Sequence, residues 1–460
     1  MKRIVLAIAI LLIRGVTDAA LDPINYINGH ITGGDTTYLY GRGADSQRYF
    51  GRWDSEYTWE LLIDFNSEPD APSGGGTKYW IRDIITTSVD GLVFLVVVDN
   101  QGDADADNDK HYLLRVVDCD GTPHYGDNSP DFDDNDYVVI LGDTDGTIGN
   151  QINGVRIFTN RNFCEFSSSL WLLGEYSAAA NRVAGGANDR VNLWQSTDYG
   201  ATWTKAAYWN TDGSRYVLHI HSVLKDPYND YVYILFGDTD AESGIVRWDG
   251  ETAWTNNEAP SFYNDITGFE SIAGSQRHRS VQMLFPDATD IYVAADADPD
   301  EAAEVGIWKT NRGLTSYTRV HDDDYFNATN RHQVGIGLVA SDGQILFSEL
   351  FAASAPDRHI NIWSSDGSSW ENVGKFGTRD SVVSRLFGFF EWNEQLFLSI
   401  SGVGSGKDAY STSVCNLSGG DNSKESPIIS PVYWVGTTDA VDDDDHGYAP
   451  AIPWASLEYA

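Results

Sequence analysis

The sequence predicts an all-β fold assembled from repeated four-stranded units, and three observations carry that expectation. One short phrase recurs: Val191-Asn192-Leu193-Trp194, Ile245-Val246-Arg247-Trp248, Val305-Gly306-Ile307-Trp308 and Ile360-Asn361-Ile362-Trp363 end in tryptophans 54, 60 and 55 residues apart. A period of that size marks a repeat architecture. Each phrase alternates apolar and polar residues as a half-buried strand does, then runs through a Gly/Asp/Ser/Thr turn to a second aromatic, Trp203, Trp254, Tyr317 or Trp370. A further hairpin precedes the phrase, as in Tyr216 to Phe236 about Asp226-Pro227-Tyr228-Asn229, Val281 to Ala294 about Pro286-Asp287-Ala288-Thr289, and Val334 to Phe347 about Ser341-Asp342-Gly343. Two hairpins per repeat make a four-stranded unit, one blade of a β-propeller.

The inner-hairpin turns fall near Asp90-Gly91, Ser168, Tyr228, Ala288, Asp342 and Asn393, which predicts six blades. The long interval between the first two holds Asp-rich inserts and reads as an enlarged blade. Seven blades is the alternative, because the stretch Tyr137 to Asp145 echoes Tyr231 to Asp240. At the chain start, Trp53-Asp54-Ser55-Glu56-Tyr57-Thr58-Trp59 has the same Trp-to-Trp step as Trp248 to Trp254, so an outer hairpin arrives before any inner one. The N-terminal strands are therefore expected to join the last inner hairpin, Val383 to Ile400, closing the last blade and removing the open edges.

Residues 30–420 are assigned to the propeller. Residues 421–460 read as an irregular, extended C-terminal arm with Pro427, Pro431, Trp434, Pro450, Pro453 and Trp454 and no repeat phrase. Residues 1–20 look like a secretory signal: Met1-Lys2-Arg3 precede an apolar run from Ile4 to Ile13, with Ala19 or Ala20 as the cleavage point. That run is too short to span a bilayer.

Acidic residues number 68 against 30 basic ones, a formal charge of −38 spread along the chain. Such a surface repels nucleic acid and anionic membranes, so neither is an expected partner. Asp predominates over Glu and Arg over Lys, which resembles proteins of salt-loving archaea and their viruses, where concentrated ions screen the repulsion. Low salt should then destabilise the compact state. Three cysteines, Cys119, Cys164 and Cys415, exclude a disulfide scaffold. Asn327-Ala328-Thr329 and Asn416-Leu417-Ser418 fit the glycosylation acceptor pattern.

The turn Ser196-Thr197-Asp198-Tyr199-Gly200-Ala201-Thr202-Trp203 matches S-x-D-x-G-x-x-W in full and resembles the Asp-box of sialidase-like, BNR-repeat propellers. Ser364 to Trp370 is one residue short of it, and Asn311 to Tyr317 replaces Asp with Asn and Trp with Tyr. These residues set the turn, tie its backbone and pack between sheets, so they speak for fold and not for activity. A resemblance to sialidases would imply an arginine triad for a sugar carboxylate, a Tyr/Glu nucleophile pair and an Asp acid/base. Arg82, Arg279 and Arg331 correspond in position alone, and the family's early Arg-Ile-Pro signature is replaced by Tyr79-Trp80-Ile81-Arg82-Asp83-Ile84. The inner-strand acids Asp83, Glu165, Glu349 and Glu391 fall in no pattern that pairs with a tyrosine, whereas a glycosidase needs two carboxyls at a set separation.

Binding is the stronger expectation. In a chain this poor in base, Arg and His gather where innermost strands begin: Arg82; Arg161; Arg215, His219 and His221; Arg277, His278 and Arg279; Arg331 and His332; Arg379 and Arg385. Innermost strands line a propeller's channel, which makes Arg82, His219, His221, Arg277, Arg279, Arg331, His332 and Arg385 candidate donors to a carboxylate or sulfate. Trp80, Tyr216 and Phe387 could stack on sugar faces. The alternative is that these cations only neutralise neighbouring carboxylates.

Asp103, Asp105, Asp107 and Asp109 set carboxylates at alternate positions as an EF-hand loop does, making calcium the candidate cofactor, although Gly at the sixth position and Glu at the twelfth are absent. The function predicted is a non-catalytic glycan-binding or adhesion propeller on a virion or cell exterior. Its partners would be an acidic or sulfated surface glycan and other virion or surface-layer subunits. The alternatives are a secreted sialidase-like hydrolase acting on acidic sugars and a subunit that binds only its neighbours.

Overall fold

The alternating segments fold as strands in a computed structural model that describes residues between 30 and 416. Residues 1–29 and 417–460 lie outside the described residues. So do 35–37, 43–48, 54–58, 65–77, 101–109, 117–136, 143–155, 158–159, 178–189, 211–216, 218–219, 238, 241, 255–268, 296–302, 322–330, 342, 353–358, 378–384, 393–394 and 402–411. The signal-like segment and the C-terminal arm therefore fall outside them. Among the described residues there is no α-helix, only two short 3-10 turns at Asn160–Asn162 and Gln276–His278.

Seven sheets of three or four strands follow one another in chain order. The first holds β1 (His30–Gly34), β2 (Leu39–Arg42), β3 (Tyr49–Trp53) and β4 (Trp59–Asp64); the second holds β5 (Lys78–Thr86), β6 (Val93–Asn100), β7 (Lys110–Val116) and β8 (Tyr137–Gly142). A two-stranded ribbon, β9 (Arg156–Ile157) with β12 (Tyr176–Ser177), accompanies the third sheet, β10 (Phe163–Ser167), β11 (Leu170–Gly174), β13 (Arg190–Ser196) and β14 (Thr204–Asn210). The fourth is β15 (Ile220–Lys225), β16 (Val232–Phe236), β17 (Gly244–Trp248) and β18 (Phe269–Ala273), and the fifth β19 (Ser280–Leu284), β20 (Asp290–Ala295), β21 (Gly306–Asn311) and β22 (Tyr317–His321). The sixth is β23 (Arg331–Val339), β24 (Ile345–Ala352), β25 (His359–Ser365) and β26 (Trp370–Gly377), and the seventh β27 (Arg385–Trp392), β28 (Gln395–Ser401) and β29 (Thr412–Asn416).

Strands pair antiparallel with their sequence neighbours, and the first strands of successive sheets lie together. β10 meets β15, β15 meets β19, β19 meets β23, β23 meets β27, and β27 meets β1, which also touches β5. Sequential antiparallel sheets whose first strands lie side by side are the arrangement of a β-propeller. The tryptophans of the repeat phrase, Trp194, Trp248, Trp308 and Trp363, all lie on third strands. Each core fills the space between adjacent sheets: Tyr40, Phe50 and Ile63 with Ile81 and Leu95, Phe94 with Trp171 and Trp194, Leu193 and Trp209 with Ile220 and Phe236. Burial between sheets, rather than within one, is what makes each repeat depend on its neighbours.

Two expectations need correction. The hairpin Tyr49–Asp64 does not join Val383 to Ile400; it continues β1 and β2, with Leu39 opposite Trp53 and Arg42 opposite Phe50. The edge of β28 is taken by β29, with Ser401 opposite Thr412. The sequence count of six inner hairpins omits His30–Arg42, whose Gly33, Gly34 and Gly41 leave too few apolar side chains for alternation to register. The long interval is one enlarged sheet: Val116 stands opposite Tyr137, so Tyr137–Gly142 is a fourth strand and starts no unit of its own.

Candidate functional site

Every first strand breaks its pairing once. The register shifts between Ile31 and Gly33, Ile81 and Asp83, Glu165 and Ser167, Ile220 and Ser222, Ser280 and Gln282, Val334 and Gly337, and Leu386 and Gly388. A bulge adds a residue and bends its strand, so strict alternation no longer says which way later side chains face. Arg82 and His221 are themselves the residues skipped in the register. Of the other predicted ligands, Arg331 and His332 open β23 and Arg385 opens β27, while Arg277 and Arg279 lie in and after the 3-10 turn that leads into β19. His219 lies outside the described residues, as do Arg379 and the acidic loop of Asp103, Asp105, Asp107 and Asp109. His30, which the sequence reading missed with its hairpin, opens β1 in the same way.

Several of these side chains come together at the junction of the fourth and fifth sheets. His221 is 3% exposed and its Nδ1–H donates to the Ser280 carbonyl at 2.8 Å, while its ring stacks on Tyr176 with centroids 6.2 Å apart. That bond ties two first strands together. Gly237 makes the room: a β-carbon there would come within 2.6 Å of both His221 Cε1 and Arg279 Cγ. Gln276 joins the same cluster, its Nε2 donating to Asp240 Oδ1 at 2.9 Å and its Oε1 accepting from Arg279 Nη1 at 3.4 Å. His278 is buried edge-on to Tyr317 at 5.0 Å. Arg277 points the other way, toward Glu304 and the ring of Trp308.

The acids are held as well. Asp83 Oδ1 accepts from the Ile84 N–H at 2.8 Å, and Glu165 accepts from the Ser88 N–H at 2.6 Å and from the Ser88 hydroxyl. Glu349 accepts the indole N–H of Trp363 at 2.7 Å. Sequence reasoning missed Glu175, which is fully buried and accepts from Asn192 N, Asn192 Nδ2 and Trp194 Nε1 at 2.8 to 2.9 Å. The signal was present: Glu175 and Glu349 each stand two residues beyond the residue that faces the repeat tryptophan, Leu173 opposite Trp194 and Phe347 opposite Trp363. Both glutamates thus satisfy an indole that burial would otherwise strand. Among the described residues no group of three or more His, Cys, Asp and Glu is placed to hold a metal, and no helix is long and apolar enough to cross a membrane.

The outer turn Ser196–Trp203 is fully tied. Asp198 accepts from the Thr202 N–H and hydroxyl at 2.8 and 2.6 Å and from the Ser196 hydroxyl at 2.8 Å, while Gly200 N–H donates to Ser196 Oγ at 2.8 Å. Its polar groups serve the turn, so its chemistry is structural.

No family model matches the chain, and no curated protein matches it. Solved structures are similar to it. One is a protein of unknown function from Dyadobacter fermentans, with 16% identity and a TM-score of 0.38 over 74% of this chain and 94% of that one. Another is the β-propeller domain of the Trilobed protease from Pyrococcus furiosus, with 11% identity and a TM-score of 0.36 over 74% and 81%. A third is the SapL1 lectin in complex with α-methyl fucoside, with 10% identity and a TM-score of 0.34 over 85% and 94%. At such identities function has to be argued from this chain's own residues.

Proposed function

We propose that this chain is a seven-bladed, Asp-box-type propeller that binds an acidic or sulfated glycan on the exterior of a virion or cell of a salt-loving organism. One observation carries the reading: in a chain with 68 acids and 30 bases, each first strand has Arg or His within or just before its first five residues, at His30, Arg82, Arg161, His221, Arg279, Arg331 and Arg385. Cations repeated on one end of an inner circle offer forked donors to an anionic sugar while the surrounding acids keep nucleic acid away. The acidic loop of Asp103 to Asp109 is proposed as a calcium site.

The observation that favours a purely structural subunit instead is that His221 and Arg279 are engaged within the framework. Hydrolysis is less supported, because Asp83, Glu165 and Glu349 each receive donors from the fold. The test is retention of the purified chain on acidic, sulfated and neutral polysaccharides in high salt, with Arg279→Ala and Arg331→Ala beside it. Binding to acidic or sulfated glycan that weakens in either variant is expected. Failure to bind any of them would leave the structural role.

A further inference from the structure

We infer that Arg277 is the group that takes the glycan's anion, and that its ligand is a planar carboxylate, as in a uronic acid. This rests on the glycan-binding reading above and adds to its cations one that points away from the His221 and Arg279 cluster, toward Glu304 and Trp308. Arg277 lies in the 3-10 turn between the fourth and fifth sheets, with its side chain 38% exposed. Its Nε donates to Ser275 Oγ at 2.9 Å, and its guanidinium carbon sits 5.6 Å from the centre of the Trp308 ring. Glu304 holds the base of the arrangement, accepting the Ser275 hydroxyl on both oxygens at 2.7 Å and the Arg277 N–H at 3.1 Å.

Glu304 is thereby satisfied by donors other than the guanidinium. The closest approach of Arg277 Nη2 to it is 3.9 Å, too long for a hydrogen bond. Nη1 and Nη2 have no hydrogen-bond partner among the described residues, although Nε of the same group is held by Ser275 and its guanidinium carbon lies near the Trp308 ring. A guanidinium held rigid with its outer fork open matches a carboxylate bidentately without first breaking a bond or ordering a side chain. Arg312 shows the contrary case, in which Nε, Nη1 and Nη2 all donate within the fold.

The chain's charge of −38 repels any polyanion at a distance. The Debye length falls from about 10 Å at 0.1 M salt to about 3 Å at 1 M, so salt removes that long-range repulsion while a bonded fork, in contact, persists. Affinity for a polyuronate should therefore rise with salt, opposite to ordinary arginine–anion binding.

The experiment measures binding of polygalacturonate, dextran sulfate and uncharged dextran between about 0.1 and 1 M salt, with folding of each variant checked by melting temperature. The expected result is polygalacturonate binding that strengthens with salt, is weakened about tenfold or more by Arg277→Ala, and is restored in part by Arg277→Lys, which keeps the charge and loses the fork. Ser275→Ala, acting through Arg277, should weaken binding at unchanged melting temperature, with Ser275→Thr restoring it. Wild-type binding that Arg277→Ala leaves intact would overturn this inference alone. Binding of dextran sulfate without polygalacturonate would overturn the carboxylate assignment. Binding of no polyanion by the wild type would overturn the glycan reading and this inference with it.

Discussion

Removing the guanidinium of Arg312 should uncouple the fourth and fifth sheets. Arg312 sits in the turn between β21 and β22, 13% exposed at its side chain, and reaches the fully buried Asp226 just after β15. Its Nε donates to Asp226 Oδ2 at 2.5 Å and its Nη2 to Oδ1 at 3.3 Å, while Nη1 and Nη2 donate to the carbonyls of Asp290 and Asp287 at 2.7 Å each. Tyr228 and Phe285 cover it with ring centres 5.6 and 5.5 Å away. Arg312→Ala leaves a buried carboxylate without its cation, which costs about 3–5 kcal/mol. The control is Lys309→Ala: its bond to Asp290 is short at 2.6 Å, but the side chains are 36% and 30% exposed, and a pair that open to water is worth about 0.2–1 kcal/mol. Arg312→Lys should fall close to Arg312→Ala, because one ammonium cannot reach four acceptors in a plane. Urea unfolding at fixed high salt reads the difference. A loss below about 1 kcal/mol for Arg312→Ala, or a loss equal to that of Lys309→Ala, would refute the claim that this pair joins the sheets.

Two further outcomes follow from the turns. Gly200 has φ +72° and a β-carbon there would lie 2.3 Å from Phe94 Cζ of the second sheet, whereas Gly343 has φ +89° and nothing within 4 Å. Thermal unfolding should show Gly343→Ala losing about 1–2 kcal/mol from backbone strain and Gly200→Ala about 1–3 kcal/mol more from overpacking; equal losses would refute the contact. At Asp198 and Asp249, burial alone would raise the carboxyl pKa, but hydrogen bonds from Thr202 with Ser196, and from Thr252, outweigh it, and both are held below the ordinary carboxylate value. At Asp287 and Asp366 the hydroxyls of Thr289 and Ser368 lead in the same direction. Lowered folded-state values mean that this stabilisation is present above the unfolded pKa of about 4 and is lost as pH falls through the folded values. In salt high enough to screen net charge, the wild type should weaken on acidification below about pH 4, and Asp198→Asn should lose less than the wild type over that range. Identical acid limbs would count against the turn carboxylates.

Much of the fold was legible because its signals are local. The tryptophan phrases show through because each third strand carries a large aromatic shortly before its turn and a second aromatic follows the turn, as with the buried Trp194 and Trp203. The first hairpin was not legible, since its buried Tyr40 stands among Gly33, Gly34, Gly41, His30, Thr32 and Arg42, with only Ile31 and Leu39 beside it to suggest alternation. The bulge at Arg82 or His221 is invisible to a period of two, which is why sequence could name the cations of the inner strands and not their directions. Nor could it find Asp226 for Arg312, because the partners are 86 residues apart and joined only by the packing of two repeats.

The use made of the basic side chains ties these readings together. Arg115 donates to the Tyr199 carbonyl across the second and third sheets, Lys225 to the Phe166 carbonyl across the third and fourth, and Arg247 to the Arg312 carbonyl across the fourth and fifth. A carbonyl is an uncharged acceptor, so these junctions hold by directional hydrogen bonds and give up little when salt screens charge. The chain carries a formal charge of −38, whose self-repulsion salt would screen, and joints of this kind would not loosen as it did so. Arg277 departs from the pattern. Its Nε is held by Ser275, itself held by Glu304, while Nη1 and Nη2 make no hydrogen bond to a neighbouring sheet among the described residues, which leaves them for the anion proposed above.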